Sequence, residues 1–242
     1  MLEKASRSRP SAEERPVGEP VAPPPGRVPD HRLLYGGSVT LEPLDVGAHA
    51  FDLWESFHNA DPTDSIWTYL GYGPFAGYEA FRDHIARQTG SKDPFFYAVV
   101  PRGTGKAAGV ASFLRITPEQ GVIEVGHIWF SPALQKTREA TESLYLLFRN
   151  ALDEMGYRRL EWKCDALNAP SRRAAERYGF TFEGIFRQHM IVKGRNRDTA
   201  WYAILDREWP PLRDAYKAWL RDENFDKSGR QKKPLSALMP KQ

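Results

Sequence analysis

The chain has 242 residues, 41% hydrophobic and 12% aromatic, with a formal net charge of +3. That length supports one well-cored domain with tails, or two small domains. Mild basicity without a dense Lys/Arg block ahead of the C-terminal tail argues for a small anionic ligand over extended nucleic acid. No stretch approaches the roughly 18–20 apolar residues that span a bilayer, and no apolar h-region opens the chain. The one cysteine, Cys164, excludes an intrachain disulfide. It reads as a buried strand residue in a reducing compartment, so the expected location is cytoplasmic.

Residues 1–30 hold seven prolines among Ser, Glu and Arg. Such a segment buries too little apolar surface to offset its ordering entropy and reads as a disordered arm. Residues 223–242 read as a polar basic tail, which leaves 31–222 as the folded domain. SVTLEPL (38–44) alternates like a first strand, and VGAHAFDLWESFH (46–58) gathers Val46, Phe51, Leu53, Trp54 and Phe57 largely on one helical side. A Gly-, Pro- and aromatic-rich loop follows from Asn59, then a short helix over 79–89. Strands at 95–101, 107–118 and 121–131, joined by RGTGK and EQG, form an antiparallel meander. RGTGK (102–106) resembles the end of a P-loop, but that motif needs Gly at 100 and Ser or Thr at 107. The chain has Val100 and Ala107 there, so the stretch is a hairpin turn.

The spacing predicts a long helix over 135–155, with Ala140, Leu144, Leu147, Phe148, Ala151, Leu152 and Met155 on one stripe and Gly156 as its stop. RRLEWKCDA (158–166) is a strand. NAPSRRAAERYG (168–179) is a helix that Asn168 caps, with Pro170 in its first turn and Gly179 ending it. FTFEGIFRQHMIV and RDTAWYAILDREW pair across KGRNR, and PPLRDAYKAWLRD supplies a terminal helix. The order implies one α/β or α+β domain.

The junction LQKTREATES (134–143) is basic and lacks glycine. A helix N-terminus presents unsatisfied N–H groups and a partial positive charge, which suits a pyrophosphate, and Lys136 and Arg138 add to it. On these residues alone, an ordinary cationic helix start and a phosphate-binding loop are equally open.

Several short motifs stand in order around that junction. Glu124-Val125-Gly126 precedes Gln135-Lys136-Thr137-Arg138-Glu139-Ala140 and Thr141-Glu142. Then come Asn168-Ala169-Pro170-Ser171, Tyr178-Gly179-Phe180 with Glu183-Gly184, and Arg197-Asp198. From about 38 to 206 this succession resembles the GCN5-related N-acetyltransferases (GNAT), especially the RimJ/RimL-like branch. The family's acyl-CoA loop reads Gln/Arg-x-x-Gly-x-Gly/Ala. The match holds at Gln135 and Ala140, and arginine replaces glycine at 138.

The resemblance implies a GNAT fold, a mixed and mostly antiparallel twisted sheet flanked by helices. It implies an acyltransferase that moves acetyl from acetyl-CoA directly to a primary amine, on a small molecule or a protein N-terminus, without a metal. Ile128, Trp129, Phe130, Gln135, Lys136, Thr137, Arg138, Glu139, Ala140, Thr141, Asn168 and Ser171 would hold acetyl-CoA. Nucleic acid and membrane are not expected partners, and the family contains monomers and homodimers. The competing reading is a non-catalytic acyl-CoA-binding or interaction protein, favoured by arginine at 138 and by the missing acid tyrosine described below.

Transfer to an amine needs a base, because an ammonium cannot attack. Glu124, near the splayed end of its strand, is the first candidate. Asp198 is the second, with a hairpin salt bridge to Arg195 or Arg197 as its structural alternative. His127 and His189 titrate near neutrality. A base glutamate proposed within the RimL pattern falls on Met190 here and does not carry over. Backbone N–H groups at Ile128 to Phe130 would stabilise the oxyanion. The tyrosine that serves as acid in much of the superfamily falls on Ala175, which leaves Tyr178 to packing and Ser171 as the donor to the leaving thiolate. Trp67, Tyr69, Tyr72 and Phe75 form a candidate acceptor wall, facing a basic rim of Lys193, Arg195 and Arg197.

Overall fold

The elements follow the predicted order, with one addition, a two-residue strand at Leu34–Tyr35 ahead of the strand expected at 38–44. The computed structural model describes residues 16–61 and 63–240. β1 (Leu34–Tyr35) and β2 (Val39–Pro43) precede α1 (Val46–Phe57) and α2 (Tyr78–Gln88). The meander is β3 (Phe95–Pro101), β4 (Gly109–Thr117) and β5 (Val122–Phe130). Then come α3 (Arg138–Arg149), β6 (Arg159–Asp165), α4 (Ala169–Arg177), β7 (Thr181–Val192), β8 (Arg195–Leu205) and α5 (Trp209–Trp219). Of the arm expected to be disordered, residues 1–15 lie outside the described residues. Residues 16–30 carry no helix or strand. Tyr157 Oη nonetheless donates to Arg27 O at 2.8 Å, and Pro25 lies so close to Gly156 that a Cβ there would come within 2.8 Å of its ring. Among the described residues no helix is long and apolar enough to cross a membrane.

The strands form one eight-stranded sheet in the order β1-β2-β3-β4-β5-β6-β8-β7. Every neighbouring pair is antiparallel except β5 with β6. This is the mixed, mostly antiparallel sheet flanked by helices that the sequence implied. Both faces of β3 are covered, which is why its sequence is apolar at consecutive positions. Phe95, Tyr97 and Val99 join the larger core with α3 and α5, whereas Phe96, Ala98 and Val100 join a second core with α1 and α2.

α3 begins three residues later than periodicity predicts. Lys136 sits in the left-handed region (φ 64) and Thr137 is extended, so Thr137 becomes the cap, its Oγ1 accepting from Ala140 N at 3.1 Å. The predicted stripe from Ala140 to Met155 is buried, although 150–154 is wound as a π turn rather than an α-helix. A second face of α3 is buried as well. There Glu142 accepts from the N–H groups of Gly37 and Ser38, each at 2.7 Å, and from Ser38 Oγ. The carboxylate thus holds the β1–β2 turn, and a Cβ on Gly36 would stand 2.7 Å from Glu142 Cδ.

Beyond α5 the chain stays against the domain. Leu235 is completely buried in the main core, Leu238 and Met239 pack on it, and Phe225 bridges to Gln231.

Glu142→Ala should leave two backbone N–H groups without their acceptor and cost about 3 kcal/mol. Denaturant unfolding of the variant beside the parent measures it, and a loss below about 0.5 kcal/mol would remove the turn-holding role.

Candidate active site

Beyond Glu124 the two central strands part. β5 and β6 pair only at Val122 with Arg159, Ile123 with Leu160 and Glu124 with Glu161. β5 then runs on to Phe130 and β6 to Asp165, with no further pairing between them among the described residues. A bulge drives the separation. Between Val110↔Trp129 and Ser112↔Gly126, β5 carries one residue more than β4, and His127 there adopts φ 49. An extra residue bends its strand and breaks the local ladder.

A second bulge lies on β4, between Leu114↔Glu124 and Thr117↔Val122, with Arg115 at φ 47. The N–H groups it frees at Arg115 and Ile116 both donate to the Asp93 carboxylate, at 2.9 and 3.2 Å. The bulge turns the Arg115 side chain onto Glu124. Lys163, itself buried, lies 3.0 Å from the same Glu124 oxygen and 2.6 Å from Glu161, with the Trp201 ring centred 3.8 Å from its nitrogen. Arg159 continues the series to Glu161 at 2.7 Å and to Glu183, whose carboxyl its hydrogen bonds hold below the usual range. Three cations and three carboxylates therefore alternate across the apex of the cleft. Glu124 is 3% exposed, and its Oε2 meets both Arg115 and Lys163.

His127 lies just past that apex. Its ring stacks on Tyr72 at 5.7 Å and neighbours Phe96 at 5.3 Å. Burial holds the imidazole below its ordinary value, and the charges of Arg115 and Arg197 act in the same direction. Among the described residues the histidine rings that hydrogen-bond are His49, His58 and His189, so the ring nitrogens of His127 are uncommitted.

Asp198 is placed differently from expectation. Its Oδ1 accepts from Gln188 N at 2.7 Å and Asn196 Nδ2 at 2.9 Å, contacts that hold its carboxyl below the usual range. It stabilises a bulge of β7, where Gln188 takes φ 51, rather than pairing with Arg195 or Arg197. His189 meets Thr199 Oγ1 at 2.9 Å.

After β6, Asn168 caps α4, its Oδ1 accepting from Ser171 N at 3.1 Å. Ser171 Oγ accepts from Trp162 Nε1 at 3.0 Å. Burial pushes the Cys164 thiol up, opposed by a hydrogen bond from Ser171. Tyr178 is buried in the main core, as its packing role required.

At the start of α3, the Thr137 hydroxyl caps Ala140 and donates to Leu134 O, and Gln135 Nε2 holds the Phe130 carbonyl at 2.9 Å. The N–H groups of Arg138 and Glu139, in the first turn, lack an intrahelical acceptor. Thr141 is turned inward, accepting from Arg177 at 3.2 Å. The Arg138 guanidinium donates to Leu220 O, lies 2.8 Å from Asp222 and sits 4.7 Å from the centre of the Phe225 ring. Between the start of α3 and residues 222–231 lies a cavity of about 810 Å³.

The loop after α1 crosses the mouth of the cleft. Lys193 donates to Trp67 O at 2.8 Å, and Tyr69 Oη to Leu167 O at 3.2 Å. Tyr72 reaches His127, whereas the Trp67 side chain is 1% exposed and packs among Phe57, Phe75 and Trp129. Arg195 is exposed at the start of β8.

The sequence model of the family described as "Acetyltransferase (GNAT) domain" matches residues 39–181, more than half of the chain. This chain belongs to the GNAT acetyltransferases. It is similar to a GCN5-related N-acetyltransferase from Brucella melitensis, at 45% identity and a TM-score of 0.85 over 89% of this chain and 96% of that one. A probable acetyltransferase of the GNAT family from Chromobacterium violaceum is 40% identical, with a TM-score of 0.72 over 84% of this chain and 99% of that one. An uncharacterized N-acetyltransferase, YnaD, from Bacillus subtilis is 26% identical over 71% of this chain and 98% of its own length.

In this GNAT acetyltransferase, sequence reasoning did not single out Arg115, Glu161 or Lys163. A signal was present: Arg159, Glu161 and Lys163 alternate along a central strand whose other positions, Leu160, Trp162 and Cys164, belong to the core.

His84, against Tyr72 and Phe75, is pushed down by burial to about 4, so it and His127 are neutral in the folded enzyme at pH 7. Unfolded imidazoles titrate near 6.5. From about pH 6.5 down to about 4 the unfolded chain therefore binds protons that the folded chain does not, and stability falls as pH drops through that window. The melting temperature should decline from pH 7 to pH 4.5, and it should do so less steeply in His84→Phe. Identical pH profiles for the two proteins would contradict this.

Proposed function

We propose that this enzyme transfers acetyl from acetyl-CoA to the primary amine of a small molecule in the cytoplasm. The observation that carries the reading is the end of the β5–β6 ladder at Glu124, which leaves two facing backbone edges unpaired in the middle of the sheet. N–H groups of the 128–130 stretch are suited to donate to an oxygen gaining negative charge. Acetyl-CoA supplies an activated thioester when bound. The uncommitted N–H groups at the start of α3, with Lys136 beside the 810 Å³ cavity, suit its phosphates.

His127 is the group we assign to removing the amine proton. Burial keeps it neutral, its nitrogens are uncommitted and it lies just past the apex. Glu124, ion-paired to Arg115 and Lys163, fixes the apex rather than exchanging protons. Ser171 Oγ accepts from Trp162, and its own proton, turned from Cys164 toward a leaving thiolate, would stabilise the negative sulfur. Asn168 sets the start of the helix that carries Ser171.

The two bridges from the loop at Trp67 and Tyr69 narrow the mouth, which favours a small amine over a folded protein's terminus. Arg195 and Arg197 suit an acceptor that also bears an acidic group. The RimJ/RimL-like motifs keep a peptide N-terminus as the second acceptor class.

Calorimetric titration with acetyl-CoA, joined to thiol release against an amine panel, tests the reading. His127→Ala should keep acetyl-CoA affinity while losing roughly 100-fold or more in kcat, and parental activity should fall as pH drops and the imidazole protonates. An active His127→Ala beside a folded but inactive Glu124→Gln would move the base to Glu124. No binding of acetyl-CoA by the parent would overturn the assignment.

A further inference from the structure

The wall opposite the start of α3 is made by chain beyond α5, and it is tied at many points. Trp219 Nε1 donates to Gln231 Oε1 at 2.9 Å, and Asn224 Nδ2 reaches the carbonyls of Trp219 and Lys233. Asp226 Oδ1 accepts from Ser228 N, Ser228 Oγ and Arg230 N at 2.7 to 3.0 Å, which closes the 226–230 turn. Arg138 fastens this segment to α3 through Leu220 O, Asp222 and Phe225. The side chain that stands where the family's loop has glycine is thus committed to the chain's own C-terminal segment.

The open cleft bordered in this way is unevenly charged. Its lining brings Lys136, Arg138, Arg177, Lys227 and Arg230 against Glu139, Asp222 and Asp226. Asp222 is matched by Arg138, and Asp226 is engaged by its own turn. Lys227 and Arg230 are exposed on the segment and line the same space as Lys136 and Arg177.

We propose that residues 222–231 form a strap that completes the acyl-CoA site, with Lys227 and Arg230 binding the phosphate monoester on the ribose at the nucleotide end. This rests on the acetyl-CoA reading above. Arg138 acts as a positioning residue that holds the strap. The phosphate monoester is the group that separates CoA from 3′-dephospho-CoA. A dianion placed between two cations that make no ion pair among the described residues should therefore be felt in that comparison and little elsewhere.

Calorimetric titration of both ligands into the full chain, Lys227→Glu/Arg230→Glu and Arg138→Met provides the test. The two strap side chains are exposed, so the double variant should fold as the parent does. The parent should bind CoA at least roughly tenfold tighter than 3′-dephospho-CoA, the scale of one charge-assisted hydrogen bond. The double variant should lose that preference with its 3′-dephospho-CoA affinity within about twofold of the parent, and Arg138→Met should weaken the preference by releasing the strap. A parent without the preference, or a double variant that keeps it, overturns the strap and leaves the acetyl-CoA reading standing. A parent that binds neither ligand overturns both.

Discussion

Three backbone pairs join β5 to β6, and the site depends on there being no fourth. The bulge at His127 bends β5 away from its neighbour, and the bulge at Arg115 turns a guanidinium back across the opening. What closes the apex after that is charge. Glu124, Glu161 and Glu183 alternate with Arg115, Lys163 and Arg159, so that the two buried carboxylates, Glu124 and Glu161, each meet cations. Such an arrangement adds little net stability over an apolar core, but removing Lys163 would strand the buried Glu124 and Glu161 at a cost of about 3 kcal/mol or more. Its value here is geometric, because it fixes where the ladder stops.

That fixed apex separates two environments. On one side, the start of α3 and residues 222–231 border an open cleft with more cations than anions in its lining. On the other, His127 sits among Tyr72 and Phe96 under the loop after α1. On the proposed reading the second would hold the base and the first the phosphates.

Most of the fold was legible because its elements obey simple periods. The α3 stripe and the capped helix after Asn168 announce themselves, and β3 shows its double burial as an unbroken apolar run. The candidate site was half legible. Its motifs picked out the loop at 135–140 and Ser171 as candidates, while His127 stood behind Glu124 as a candidate base. Asp198 accepts hydrogen bonds within the hairpin, and the Trp67 side chain packs in a core. Both outcomes depend on partners distant in sequence or on bulges, which leave no periodic trace. The role of Arg138 was out of reach for the same reason. Its partners lie more than eighty positions away, in a segment whose composition reads as solvated even though Leu235 is completely buried.

The short β5–β6 ladder also has a mechanical meaning. β1 through β5 form one antiparallel lobe and β6 through β8 another, and α3 carries the chain between them. A small rotation that widens the gap past Glu124 breaks no strand-to-strand hydrogen bond, because none exists there to break. Ladders run along each lobe, and between the lobes strand pairing is confined to three positions at one end of β5, which makes that seam the natural axis for such a rotation.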